Sequence, residues 1–360
     1  MGSFSRDAGR LLLVICCAFT CIPMGCASSR GGLVTPEEPV LFPLPPDPPR
    51  VQFLTSITRS DEIVVAESAF QRFVTGSEGP VAAIQGPWGV AANDNKIYVC
   101  DLRQRTVVVI DLAEERFRSI GDTGRGKLRK PVQCDFDSDG NLLVADRERR
   151  QVVVFGPDEK YLREYGPIDD AFLPLDVEAR GNELFICDLG NRCVQVLDRT
   201  TGEVLRRLGG PDTFARPTSL ALDPDGNCFV VDSIRNQITV LSPDGVELRQ
   251  LGSPGDVVGS FGRARGIDID QDGNVFVADA ASEVCQIFRP DGEVALYFGG
   301  PGNAPGSLYL PAGVCVTTTG LEPLRKFFSD EIIIDRLVIV ISQFGTRIVN
   351  IYGFGEPNAT

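Results

Sequence analysis

The chain has 360 residues, 49 acidic against 35 basic for a net charge of −14, and no histidine. An acidic body is a poor partner for phosphate backbones, whose binding rests on Lys and Arg neutralising charge, so nucleic acid is not an expected partner. The missing histidine excludes imidazole-based acid–base catalysis, Ser-His-Asp triads and imidazole metal sites.

Residues 1–25 read as an export signal. Arg6 and Arg10 make a weakly positive start, and residues 11–22 form an apolar core. A bilayer-spanning helix needs about 20 apolar residues, so this core is too short to be one. Met24-Gly25-Cys26-Ala27-Ser28 resembles a bacterial lipobox with Cys26 as the acylated residue, although Pro23 stands where Leu is usual. A plain secretory signal or an uncleaved anchor is the alternative for the same segment. The resemblance implies a chain lipid-anchored to the bacterial cell envelope, the outer membrane ahead of the inner, with each buried acyl CH₂ contributing about 0.8 kcal/mol. Residues 26–49, which include PEEPVLFPLPPDPP, read as a Pro-dense, semi-rigid spacer.

The rest is a repeat. IYVCDLRQRTVVVI, LLVADRERRQVVVF, LFICDLGNRCVQVL, CFVVDSIRNQITVL and VFVADAASEVCQIF share one pattern, with Asp101, Asp146, Asp188, Asp232 and Asp279 spaced 45, 42, 44 and 47 residues apart. A sixth copy, LVIVISQFGTRIVNIY, has Ser342 at the Asp position. Each copy opens at Pro87, Pro131, Pro174, Pro217, Ala264 or Pro311, and the second, fourth and fifth turn at Asp-Gly-Asn, the strongest short hairpin signal. Self-similarity at this period with four short strands per unit predicts an all-β, six-bladed β-propeller over residues 50–354, leaving 355–360 as a tail. The repeat aspartates are expected to accept backbone hydrogen bonds at the turn that follows each.

These residues resemble NHL repeats, whose unit reads P-x-G-[VI]-A…D-G-N-[LI]-[YF]-V-A-D…R-[VI]-x-V-F…G. The resemblance covers roughly residues 87–354, and the ending Ser342-Gln343-Phe344-Gly345…Tyr352-Gly353-Phe354 looks like a bacterial lipoprotein subgroup of that family. It implies a six-bladed propeller, with binding at the channel mouth. N-terminal segments at 50–54 and 70–76 resemble outer strands of a blade, so they are expected to complete blade six and close the ring. Blade six also has an insertion over residues 317–335. Leu324, Phe327 and Phe328 stand there at helix-like spacing, either an apolar knob for a partner or cover for the sheet edge at the closure.

Two other patterns mimic chemistry. Asp135-x-Asp137-x-Asp139-Gly140 and Asp268-x-Asp270-x-Asp272-Gly273 nearly match a calcium loop, but a strand follows where that loop needs a helix and a returning Glu, so no metal or cofactor is assigned. Arg147, Arg149 and Arg150 read as a solvated blade edge. Seven cysteines follow Cys26 with no CxxC pair, and the odd number leaves at least one thiol free; Cys100, Cys134 and Cys187 occupy small core positions.

The rim candidates are the residues just after each opening position: Trp88, Gln133, Asp176, Ser219 and Arg265, an aromatic, an acid, a base and two polar groups. Trp88 wedged between blades and an Asp176–Arg265 ion pair are the plainer alternatives. The reading that follows is a non-enzymatic, membrane-tethered docking module for an envelope protein. A carboxylate- or metal-dependent hydrolase, or a small-ligand sensor, at the channel mouth is the alternative. Cys26→Ser is expected to move the chain from the membrane pellet to the soluble fraction; a variant that still pellets with membranes rules out the acyl anchor.

Overall fold

The computed structural model describes residues 33–64 and 81–358. The export signal, Cys26 and the strand expected at 70–76 lie outside the described residues. Six antiparallel sheets follow one another around a central channel. Their first strands are Pro87–Asn93, Pro131–Phe136, Pro174–Arg180, Pro217–Leu222, Ala264–Ile269 and Pro311–Thr317, and each packs beside the first strands of its two neighbours. Second strands such as Leu142–Asp146, Cys228–Asp232 and Val275–Asp279 are buried along their whole length. Blades stack face to face, so an inner strand has a neighbour on both sides and reads as a continuous apolar run. Outer strands such as Arg116–Ile120 are exposed or half-buried throughout.

The ring closes through the N-terminus. Val51–Ile57 pairs antiparallel with Val349–Pro357 as the fourth strand of blade six. Val40–Phe42 then adds a fifth, with Phe42 packed near Phe298 and Tyr352. Residues 40–42, read in sequence as part of the spacer, thus belong to the propeller. The aromatic contacts hold them, while Pro39 and Pro43 keep the exposed edge short. The last strand likewise runs to Pro357, three residues beyond the expected boundary, because Ile332–Ser342 is long enough to pair with it throughout.

The blade-six insertion turns inward. Glu322–Phe327 is a 3-10 turn whose Leu324 is fully buried, with Phe327 and Phe328 half-buried against the same core as Ile97 and Leu337. The Gln52 amide pins it to the closing strand, donating to the Phe327 carbonyl at 2.8 Å and accepting from the Ser329 N–H at 2.9 Å. These side chains therefore cover the closure and do not form an exposed knob. All seven cysteines of the described residues are buried free thiols.

The repeat aspartates are wholly buried. Asp232 accepts the N–H groups of Ile234 and Arg235 in the turn after its strand, as expected, and also those of Ala215 and Arg216, which precede the opening proline. Asp146 and Asp279 repeat the arrangement with Arg129 and Lys130, and with Gly262 and Arg263. One carboxylate therefore ties two loops of a blade together at the same end of the channel. In blade six the Ser342 hydroxyl takes its place, accepting the Tyr309 N–H and the Asn350 side-chain amide, each at 3.1 Å. Asp232→Ala strands four backbone donors around a buried cavity, so the expected cost is about 3 kcal/mol or more of unfolding free energy in denaturant titration. Exposed Asp244→Ala should cost under about 0.5 kcal/mol.

Candidate functional site

All first strands start at one end of the channel, and there the five rim candidates Trp88, Gln133, Asp176, Ser219 and Arg265 line a single cavity of about 380 Å³. Its wall is lopsided. In blades five, six and one the position facing the channel is glycine: a Cβ on Gly266 would sit 2.4 Å from the Ala312 carbonyl oxygen, and one on Gly313 would sit 2.6 Å from that of Trp88. These strands approach too closely for a side chain. Blades two, three and four place Gln133, Asp176 and Ser219 at the same level, so side chains at that position occupy half the rim.

Asp176 is 4% exposed and bridges blades three and four. Ser219 Oγ donates to its Oδ2 at 2.6 Å, Leu220 N–H to the same oxygen at 3.0 Å, and Val177 N–H to Oδ1 at 2.8 Å. Burial pushes its carboxyl up to about 7 despite these donors, which favour the anion. Gln133 is occupied similarly, its Oε1 accepting Val90 N–H at 2.8 Å. No Asp176–Arg265 ion pair forms. The Arg265 guanidinium lies 5.1 Å over the half-buried Trp88 ring and donates to Gln343 Oε1. Burial and the neighbouring Arg263 hold its pKa below the usual value.

Sequence reasoning missed two sets of residues. Arg216 and Arg263 also line the cavity, from the position just before the opening residue, where the repeat Asp holds their backbone. The buried-Asp pattern was the signal that could have found them. Two residues beyond the rim, a narrower cavity of about 70 Å³ is lined by Asp135, Glu178, Asp268 and Cys315. Strand alternation places these on the channel face. Each carboxylate accepts a backbone N–H from the following blade: Asp135 from Ala179, Glu178 from Leu222 at 2.9 Å and Asp268 from Val316 at 2.6 Å. Enclosure by protein raises Asp135 to about 6 and Asp268 to about 7. It raises Glu178 well above the carboxylate range too, with Asp135, Asp268 and Asp176 adding repulsion.

This donor set does not suit a metal ion. Its carboxylates are spent on backbone donors of different blades, and among the described residues no three acidic, Cys or His groups converge on one point. The calcium-like strings resolve the same way. Asp137 Oδ1 accepts the N–H of Asp139 and of Asn141, and Asp270 does so with Asp272 and Asn274, so both are turn-forming residues.

No protein-family model matches the chain, and no curated protein matches it in sequence. Solved structures match its fold. A gluconolactonase from Xanthomonas campestris shares 14% identity with a TM-score of 0.54, over 90% of this chain and 99% of that one. Virginiamycin B lyase from Staphylococcus aureus shares 13% with a TM-score of 0.51, over 74% and 84%. A calcium-binding regucalcin from Agrobacterium tumefaciens shares 13% with a TM-score of 0.53, over 77% and 92%. The six-bladed propeller is thus common ground with enzymes. The expectation that the chain is not an enzyme is overturned by these neighbours. The absent histidine removes one kind of site, such as that of the lyase, whose histidine-to-alanine variant is inactive, and leaves carboxylate chemistry open.

The channel acids make stability pH-dependent in a defined direction. Their folded-state pKa values lie above the ordinary 3.8 of Asp, so the fold holds protons that the unfolded chain releases. Stability should therefore fall as pH rises from about 4 to about 7 and level off above. Asp268→Asn keeps an oxygen for the Val316 N–H, and it should shrink the melting-temperature difference between about pH 5 and about pH 8; an unchanged difference removes Asp268 as a source.

Proposed function

We propose that the chain is a small-molecule hydrolase of the propeller type, acting on ester or lactone bonds at the channel mouth. The observation that carries this is the Ser219–Asp176 pair, a hydroxyl 2.6 Å from a buried carboxylate on the wall of a cavity open to solvent. A nucleophile needs a base within hydrogen-bond reach and a third group orienting that base. Here Ser219 Oγ is the nucleophile, Asp176 takes its proton, and the N–H groups of Leu220 and Val177 fix the carboxylate. The nearby guanidiniums supply positive potential for the oxyanion that forms as the carbonyl is attacked. An Asp pKa near the working pH suits proton transfer in both directions. Asp176 returns the proton to the leaving oxygen as the ester or lactone C–O bond breaks. It then takes one from the water that frees the acyl group from Ser219 and returns it to Ser219 Oγ. The gluconolactonase neighbour supports a ring-opening substrate on this fold, and the lack of histidine makes an acid-based pair the available solution.

The test is hydrolysis of 4-nitrophenyl acetate and of a simple lactone by wild type, Asp176→Asn and Ser219→Ala, with melting temperature as the folding check. Both variants should lose on the order of 100-fold in kcat while staying folded. Wild-type rate should climb with pH to a plateau above about 7, where Asp176 has given up its proton. Folded variants with wild-type rates and an unaltered pH profile would sink the assignment.

A further inference from the structure

We infer that the mouth cavity selects a small organic anion, whose carboxylate or phosphate is held by Arg216, Arg263 and Arg265 and whose body lies on Trp88. This deepens the hydrolase reading and rests on it for the location of the site.

Three guanidiniums line one cavity, and none of them is in an ion pair among the described residues. The acid that shares the cavity pairs with none of them; the Asp176 oxygens are turned to Ser219, Val177 and Leu220. Arg263 lies close enough to disfavour the charge on Arg265. Packing like charges together without a counter-ion is unfavourable unless an anion completes the set, and planar guanidinium forks match carboxylate and phosphate oxygens. The positions the arginines spring from are also set. Asp232 and Asp279 hold the backbones of Arg216 and Arg263, and the Trp88 ring lies under Arg265. That puts an aromatic side chain beside a cationic clamp, the pairing that a carboxylate or phosphate on an apolar body requires.

The charge of the whole chain does not oppose this. Exposed acids gather at the other end of the channel, in the turns of Asp139, Asp225 and Asp272, while the mouth carries arginines. An anion is therefore drawn to one end of a molecule whose net charge is −14.

Trp88 is the sole tryptophan, so its fluorescence reports this cavity alone. The full-length chain is titrated with sodium benzoate, sodium citrate and inorganic phosphate at constant ionic strength, with benzamide as the neutral counterpart of benzoate. The expected result is a saturable change with at least one anion, with benzamide at least about tenfold weaker than benzoate if benzoate is the one that binds. Arg263→Gln and Arg216→Gln should each weaken binding about tenfold, in line with a lost charge-assisted bond. Both side chains are exposed, so these variants should fold even if Arg265→Gln does not. Which anion binds distinguishes a carboxylate from a phosphate site. The inference is overturned if no anion gives a saturable change, if benzamide matches benzoate, or if Arg263→Gln and Arg216→Gln both bind as wild type does. A chain that cleaves neutral esters yet binds no anion overturns it while sparing the hydrolase reading. One that binds anions without cleaving any ester supports it and removes the hydrolase.

Discussion

The buried aspartate at the end of each second strand is the interaction on which the rest depends. A propeller blade must turn twice at the same end, once between its second and third strands and once where the chain enters from the preceding blade. Both turns expose backbone donors that no ladder satisfies. One carboxylate takes N–H groups from both, at the cost of burying a charge, and so fixes the entry loop relative to the strand turn. Because those loops surround the channel mouth, the same bond positions Arg216 and Arg263. Folding and the site share their anchor.

The inner wall poses a related problem. Each first strand turns an edge toward the channel, where no further strand can pair with it. Glu178 and Asp268 answer by reaching across to an N–H of the next blade, and Asp176 does the same one level higher. Blades five, six and one instead bring glycine backbones together. At the level of the mouth the two solutions divide the wall into a bare half and a half with polar side chains, while deeper in the channel blade five also carries an acid, Asp268. Chemistry becomes available where an acid of the second kind also meets a hydroxyl at the open end, as Asp176 does with Ser219.

A polarised molecule results. The Asp-Gly turns that make good hairpins lie at the far end, and the entry loops with their arginines lie at the mouth. The overall acidity that argues against polyanion partners is therefore not the potential that a small ligand meets at the mouth.

The sequence by itself determined the propeller, its six blades and the closure by an N-terminal strand, since a period, a fixed Asp and an Asp-Gly turn are local signals that repetition amplifies. It also placed Trp88, Gln133, Asp176, Ser219 and Arg265 on one rim, because a first strand's opening residues share an end of the channel. Only the tertiary structure decided what those residues do to one another. That Asp176 holds Ser219 and not Arg265, that Arg216 and Arg263 join the cavity, and that Leu324 is buried at the closure all depend on contacts between blades roughly one repeat or more apart in the chain. Such contacts follow from the closing angle of the ring, which no single repeat encodes. The strand at Val40–Phe42 was hidden for a similar reason: its prolines argue locally for a spacer, and only Phe298 and Tyr352, brought near by ring closure, give Phe42 somewhere to be buried.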